Sequence, residues 1–191
     1  AYLLFFTGAG RVYRLKVYEI PEATRHARGL PLVNLLPLEK EVITAIVPIW
    51  DSSTGYLFMA TARGVVKRTP LAELTTSRRE GLIALSLEKG DALVGVEVTR
   101  GEDEVMLVSS RGLVIRFKEA EVRSMGRTAR GVKGMDLGPE DHVVALVRPA
   151  RARDLLVVTE RGYGKRTELG AYRVQGRAGR GAVHPTARQT S

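Results

Sequence analysis

The chain repeats itself, and that constrains its fold more than any other feature, so the repeat is read before any motif. Four short apolar runs each lead into a glycine. YLLFFTGAG ends at Gly10, YLFMATARG at Gly64, EVMLVSSRG at Gly112 and DLLVVTERG at Gly162, with spacings of 54, 48 and 50 residues. A hydroxyl stands three residues before each glycine (Thr7, Thr61, Ser109, Thr159) and an arginine four residues after it (Arg14, Arg68, Arg116, Arg166). A second glycine follows in each unit at Gly29, Gly81, Gly131 and Gly181.

Inside each unit the pattern is that of strands. YLLFFT, RVYRLKVY, LPLVNLL and ITAIVPI are short, aliphatic or β-branched, and bounded by glycine, proline and acidic turns. Units two and three repeat this with YLFMAT, VVKRTPL, LIALSL and LVGVEV, then EVMLVSS, LVIRFKE, KGMDL and VVALVRP. Four strands in about 50 residues is the period of a propeller-type blade. No segment carries the 3.6-residue apolar spacing that stacked helix pairs require, and PEATRHAR reads as loop. The expected architecture is all-β, with blades at about residues 2–50, 56–100, 104–149 and an incomplete 154–183. After Gly181 the polar AVHPTARQTS offers no further strand, which predicts that the last two strands of the fourth blade are missing. The chain opens inside a strand and reads as a fragment of a longer protein.

The stretch GRTARGVKGM (residues 126–135) looks able to hold a phosphate. It is not a P-loop, because Val132 stands where the lysine should be and Gly134 follows Lys133. It is the third copy of a loop between the second and third strands of each unit. In the four copies, residues 24–28, 75–80, 123–130 and 173–180, stand Arg25, Arg28, Arg78, Arg79, Arg123, Arg127, Arg130, Arg173, Arg177 and Arg180. They are opposed by a single acid, Glu80, and Lys133 follows the third copy closely. The turns between the third and fourth strands reverse the sign. There Glu39, Glu41, Glu88, Asp91, Asp136, Glu140 and Asp141 outnumber Lys40 and Lys89. Because equivalent loops of a repeat occupy equivalent places, one rim is expected to be basic and another acidic.

So many cations with one counter-charge repel one another unless an anion joins them. The adjacent glycines let a backbone N–H approach a phosphate closely. Arg14, Arg68, Arg116 and Arg166 lie in strands, where pairing with a carboxylate and contact with a nucleic acid both remain open. The formal charge of +9 also favours a polyanionic partner. Aromatic residues are only 6% of the chain and sit mostly in apolar strands, whereas a single-strand binder needs exposed rings for bases to stack on. Arginine loops around a rim suit the backbone of a bent duplex.

Composition closes other routes. There is no cysteine, so disulfides, cysteine-ligated zinc and thiol catalysis are excluded. His26, His142 and His184 have no metal-binding spacing, and no apolar run approaches the roughly 18 residues that span a bilayer. No nucleophile–base set or paired carboxylates stand out, so catalysis by this segment alone is not expected.

RVYRLKVYEIPEATRHARGLPLVNLLPLE, GEDEVMLVSSRGLVIRFKEAEVRSMGRTARGVKGM and GYGKRT closely resemble the C-terminal domain of the A subunit of bacterial DNA gyrase, over roughly residues 2–181. The resemblance implies a β-pinwheel, a propeller-like disc of four-stranded blades that exchange strands with their neighbours, here about three and a half blades. It implies a non-catalytic domain of an ATP-dependent type II topoisomerase that wraps double-stranded DNA around its basic perimeter in support of negative supercoiling. The other implied partners are the gyrase B subunit and the rest of the A subunit, in the bacterial cytoplasm. No cofactor is expected here, ATP and Mg2+ serving the whole enzyme.

The family's gyrase box, Q-R-R-G-G-K-G, is not in this chain. QGRAGRG (Gln175–Gly181) echoes it, but differs at several positions, the second and fourth among them, and occupies the fourth long loop. The alternatives are the related C-terminal domain of the topoisomerase IV A subunit, which serves substrate geometry, and a propeller-like protein-interaction scaffold. Repeated arginine loops speak against the scaffold, which calls for varied loops and exposed apolar patches.

Overall fold

The computed structural model describes residues 1–50, 54–74, 81–150 and 152–183. Fourteen strands in chain order are β1 (Tyr2–Thr7), β2 (Arg11–Lys16), β3 (Ile43–Ile49), β4 (Tyr56–Thr61), β5 (Val65–Pro70), β6 (Leu82–Ile83) and β7 (Leu93–Thr99), followed by β8 (Glu104–Ser109), β9 (Leu113–Lys118), β10 (Val132–Lys133), β11 (Val143–Val147), β12 (Asp154–Val158), β13 (Gly164–Glu168) and β14 (Ala182–Val183). The only helical segments among the described residues are short 3-10 turns.

The repeated hydroxyl and glycine build one hairpin four times. The glycine N–H donates to the carbonyl three residues back, from Gly10 to Thr7 and from Gly162 to Thr159, each at 2.9 Å. The side-chain oxygens of Thr7, Thr61, Ser109 and Thr159 accept from the N–H four residues on, at 3.2–3.3 Å. Gly10, Gly64, Gly112 and Gly162 all sit at φ between +76° and +82°, a region that costs a side chain dearly. The most regular part of the repeat is therefore a fold device.

Sheet membership departs from the repeat. The strand orders are β3-β1-β2-β6, β10-β5-β4-β7 and β11-β8-β9-β14, with β12-β13 as a two-stranded remainder, and every pairing is antiparallel. The first three units thus keep their first, second and fourth strands, and the second, third and fourth units give their third strand to the preceding sheet. β14 is one of the two strands expected to be missing; it is present, and it completes the third sheet.

LPLVNLL is not a strand. A 3-10 turn spans Leu32–Asn34, and Leu32, Leu35, Leu36 and Leu38 pack on Phe5, Tyr13 and Leu15 of the first sheet. These leucines cover an apolar face of the first sheet.

The core lies between sheets. Leu4 and Phe6 of the first sheet meet Leu57 and Met59 of the second. Phe58 and Ala60 of the second meet Leu107, Ile115 and Phe117 of the third, and Met106 and Val108 of the third meet Leu155 and Leu169. Strands β1, β4 and β8 are buried on both faces, hence their unbroken apolar runs. The fourth strands of the units face one another. β3 packs on β7 and β7 on β11, and a Cβ at Gly95 would come within 2.8 Å of the Leu146 side chain. With these strands at the inner edge, β6, β10 and β14 form the outer edge.

Candidate nucleic-acid interface

The long loops of the third and fourth units are attached to the sheet of the unit before them. The Glu73 carboxylate, in the 3-10 turn Leu71–Leu74, accepts the backbone N–H of Arg127 at 3.0 Å. Glu121, in the turn Glu119–Glu121, does the same for Arg177 at 2.9 Å. Met125 N–H donates to the Arg68 carbonyl at 2.8 Å and Gln175 N–H to the Arg116 carbonyl at 2.9 Å. The second repeated glycine closes the approach, because a Cβ at Gly131 or Gly181 would lie 2.5 Å from the carbonyl oxygen of Val66 or Val114. These two loops therefore run along the outer edge of the second and third sheets, with backbones fixed by the neighbouring blade.

Their side chains divide. Arg25, Arg28, Arg123 and Arg173 are exposed. Arg127 is half-buried, and its guanidinium has no ion pair or hydrogen bond among the described residues. Arg177 is committed inward, donating to the carbonyls of Glu121 at 3.1 Å and Lys133 at 2.9 Å. Arg78 and Arg79 lie outside the described residues.

The acidic and basic positions are not on separate rims. Arg130 reaches Glu88 at 3.8 Å, and Arg180 reaches Asp136 at 3.4 Å. Lys133 also pairs with Asp136, and the hydrogen bonds from Lys133 and Arg180 pull that carboxyl below its ordinary value. The end of one long loop thus touches the acidic turn of the preceding unit. These pairs are largely exposed, so each holds its arginine only loosely. Other acidic-turn residues serve the hairpin tips. Asp91 accepts the N–H of Arg63 at 3.0 Å, and Asp141 accepts the hydroxyl of Ser110 at 2.8 Å and the N–H of Arg111 at 3.2 Å.

Three of the four strand arginines have a packing role. Arg116 donates to Glu104 at 2.7 Å and, across the junction, to the carbonyls of Leu169 at 2.7 Å and Tyr172 at 3.2 Å. Arg68 stacks over the Tyr56 ring at 4.6 Å, donates to the Gly101 carbonyl at 3.3 Å and lies 3.8 Å from the fully buried Glu119. Arg14 stacks over Tyr2 at 3.9 Å. Arg166 differs, being 76% exposed beside Asp154 at 3.5 Å.

Two features escape a reading of the repeat by its loops. Arg63, Arg111 and Arg161 are exposed cations one residue before the first repeated glycine in three units, so the register of the repeat could have found them. Lys67 could not be found that way. It is fully buried in β5, donating from Nζ to the Ala84 carbonyl at 2.7 Å and to the Arg127 carbonyl. Burial lowers its pKa to about 8, Glu73 opposing that shift and Arg127 adding to it. No group of three or more metal-ligating side chains forms among the described residues. No helix among them is long and apolar enough to cross a membrane.

Antiparallel sheets that pass one strand to a neighbour, stacked around an inner edge and carrying cationic loops outside, define a β-pinwheel with a candidate polyanion-binding perimeter. The model of the DNA gyrase C-terminal domain, beta-propeller, matches residues 1–49, 55–100, 103–149 and 153–181, and the chain belongs to that family. The DNA gyrase A subunit of Klebsiella oxytoca is 51% identical over 183 residues, which is 95% of this chain and 21% of the relative. Its Staphylococcus aureus counterpart is 45% identical over 185 residues, 94% of this chain and 21% of the relative. The chain thus spans about a fifth of the length of the curated relatives it matches. Among solved structures, the C-terminal domain of DNA topoisomerase IV aligns with a TM-score of 0.87 at 33% identity, covering 95% of this chain and 58% of that one. A DNA gyrase A C-terminal domain aligns with a TM-score of 0.82 at 27% identity, covering 95% and 59%.

Proposed function

We propose that this chain binds duplex DNA without regard to sequence and wraps it around the outer edge, in support of negative supercoiling by a gyrase. The observation that carries the reading is the fixing of the third- and fourth-unit cationic loops, by their backbones, on the sheets before them. That leaves exposed arginines at successive stations along one edge. Smooth bending of 20–30 bp costs about 1–6 kcal/mol, so a bent path needs several such stations. The chain is non-catalytic by itself. It acts with the gyrase B subunit and the rest of the A subunit in the bacterial cytoplasm, where ATP and Mg2+ serve the whole enzyme.

Wrapping is read by ligating nicked circles with the chain bound and counting the linking-number change, beside a mobility-shift titration. Arg127→Glu with Arg130→Glu is expected to reduce the linking-number change more than it weakens first contact. Glu140→Lys, at an 89% exposed side chain outside the long loops, should leave both nearly intact. The reverse pattern would put the DNA elsewhere. The high TM-score to the topoisomerase IV domain supports a second reading, selection of substrate geometry. That reading expects duplex binding with little linking-number change.

A further inference from the structure

We propose that Lys67 is a positioning residue, a buried pin that holds the loop 126–130 on the second sheet and so fixes where Arg127 and Arg130 meet a polyanion. The geometry of the pin stands alone; its consequence for DNA rests on the wrapping reading.

The next unit shows what the pin replaces. Ile115 occupies the position of Lys67, and Gly134 that of Ala84. There the Gly134 carbonyl accepts the backbone N–H of Ala178 at 2.7 Å, which Ala178 reaches at φ +65°. Thr128 stands at the position of Ala178 and does not adopt a positive φ, in keeping with the crowding of a β-branched side chain in that region. The Ala84 carbonyl consequently lacks that backbone donor, and Lys67 supplies its own at 2.7 Å while also holding the Arg127 carbonyl. Ser86 adds a hydroxyl donated to the Thr128 carbonyl at 2.7 Å. In the fourth unit Arg177 spends its guanidinium on carbonyls of the third. The third-unit loop is held instead by Lys67 of the second, and the Arg127 guanidinium, which has no partner among the described residues, is left for a ligand.

Glu73 from the 3-10 turn and Arg127 from the loop are the charged groups facing Lys67, whose pKa is lowered to about 8 chiefly by burial. Opening the loop returns Lys67 to water. The protonated form therefore favours opening, and closure strengthens as pH rises past about 8.

Trypsin cleavage after Arg127, taken as a ratio to cleavage after the exposed Arg173 of the same molecule, reads loop opening without DNA. Lys67→Ile copies the unit with Ile115 and should raise the ratio about tenfold, the scale of one net hydrogen bond. Adding Thr128→Ala, which permits the Ala178-type backbone bond, should restore most of the difference. In the unaltered chain the ratio should fall between pH 7.5 and 9, a readout that needs no variant to fold. In Lys67→Ile that fall should disappear. An unchanged ratio in Lys67→Ile, no rescue by Thr128→Ala, or a flat pH profile in the unaltered chain overturns the pin. A raised, rescued ratio with unchanged linking number supports the pin and counts against the wrapping reading.

Discussion

The guanidinium of Arg116 lies between the Glu104 carboxylate and two carbonyls of the following unit, only 18% exposed. Arg127 has the same side chain, a backbone N–H held by Glu73, and a guanidinium without a partner among the described residues. One arginine joins blades and the other is presented. Arg116→Ala should therefore cost about 2 kcal/mol, the scale of hydrogen bonds made by a charged donor, seen as a lower Tm. Hydrogen exchange should localise the loss to the β12–β13 junction, and DNA affinity should fall only as far as folding does. Arg127→Ala should do the opposite, leaving Tm nearly unchanged and weakening DNA binding alike for all sequences, because phosphate contacts carry no base information.

At the scale of elements, the long loop depends on a backbone that comes too close to β5 for any side chain. Gly131 has φ +101°, and a Cβ there would sit 2.5 Å from the Val66 carbonyl oxygen. Gly131→Ala should destabilise the chain by about 1–3 kcal/mol, since both the conformation and the contact oppose it. It should also displace the arginines on either side of the turn. Gly138→Ala is the control, with open space around its Cβ and no positive φ. A chemical melt of the two variants side by side checks the difference. The hairpins are a different kind of element. Their Thr/Ser–Gly turns close through hydrogen bonds between residues three and four apart, so the strongest repeat signature in the chain reports folding.

For the whole molecule, the exposed or half-exposed cations of the long loops and their ends add. Arg25, Arg28, Arg123, Arg127, Arg130, Lys133, Arg173 and Arg180 give about eight phosphate contacts if each meets one, and a log–log salt slope near −7. Affinity measured between low and moderate salt should show that steepness, and each arginine removed should shallow it by about one. A slope shallower than about −2 would move the DNA away from this edge. The sheets that hold the stations are coupled through inter-sheet clusters, each apolar face completed by the next unit. Loosening one junction therefore shifts the spacing between neighbouring stations as well as the stability of the two blades that share it.

The strands, the period and the hairpin turns were legible in the sequence because each is written in residues close together along the chain. A short apolar run, a hydroxyl and a left-handed glycine act over a few positions. The cationic loops were legible for the same reason, as a composition at a fixed register. Which sheet receives a third strand was not legible, since β6 and β10 are two residues long and find their partners one unit earlier. The leucines of LPLVNLL suit a strand or a cap equally, and only their packing on Phe5, Tyr13 and Leu15 shows that they cap the sheet. The arginines divide on the same principle. Arg68, Arg116 and Arg177 are drawn into junctions by carbonyls outside their own units, while Arg123 and Arg173 find none among the described residues. Local sequence sets what each residue can do, but a partner one repeat away sets what it does, because burial and hydrogen bonding are properties of the assembled junction.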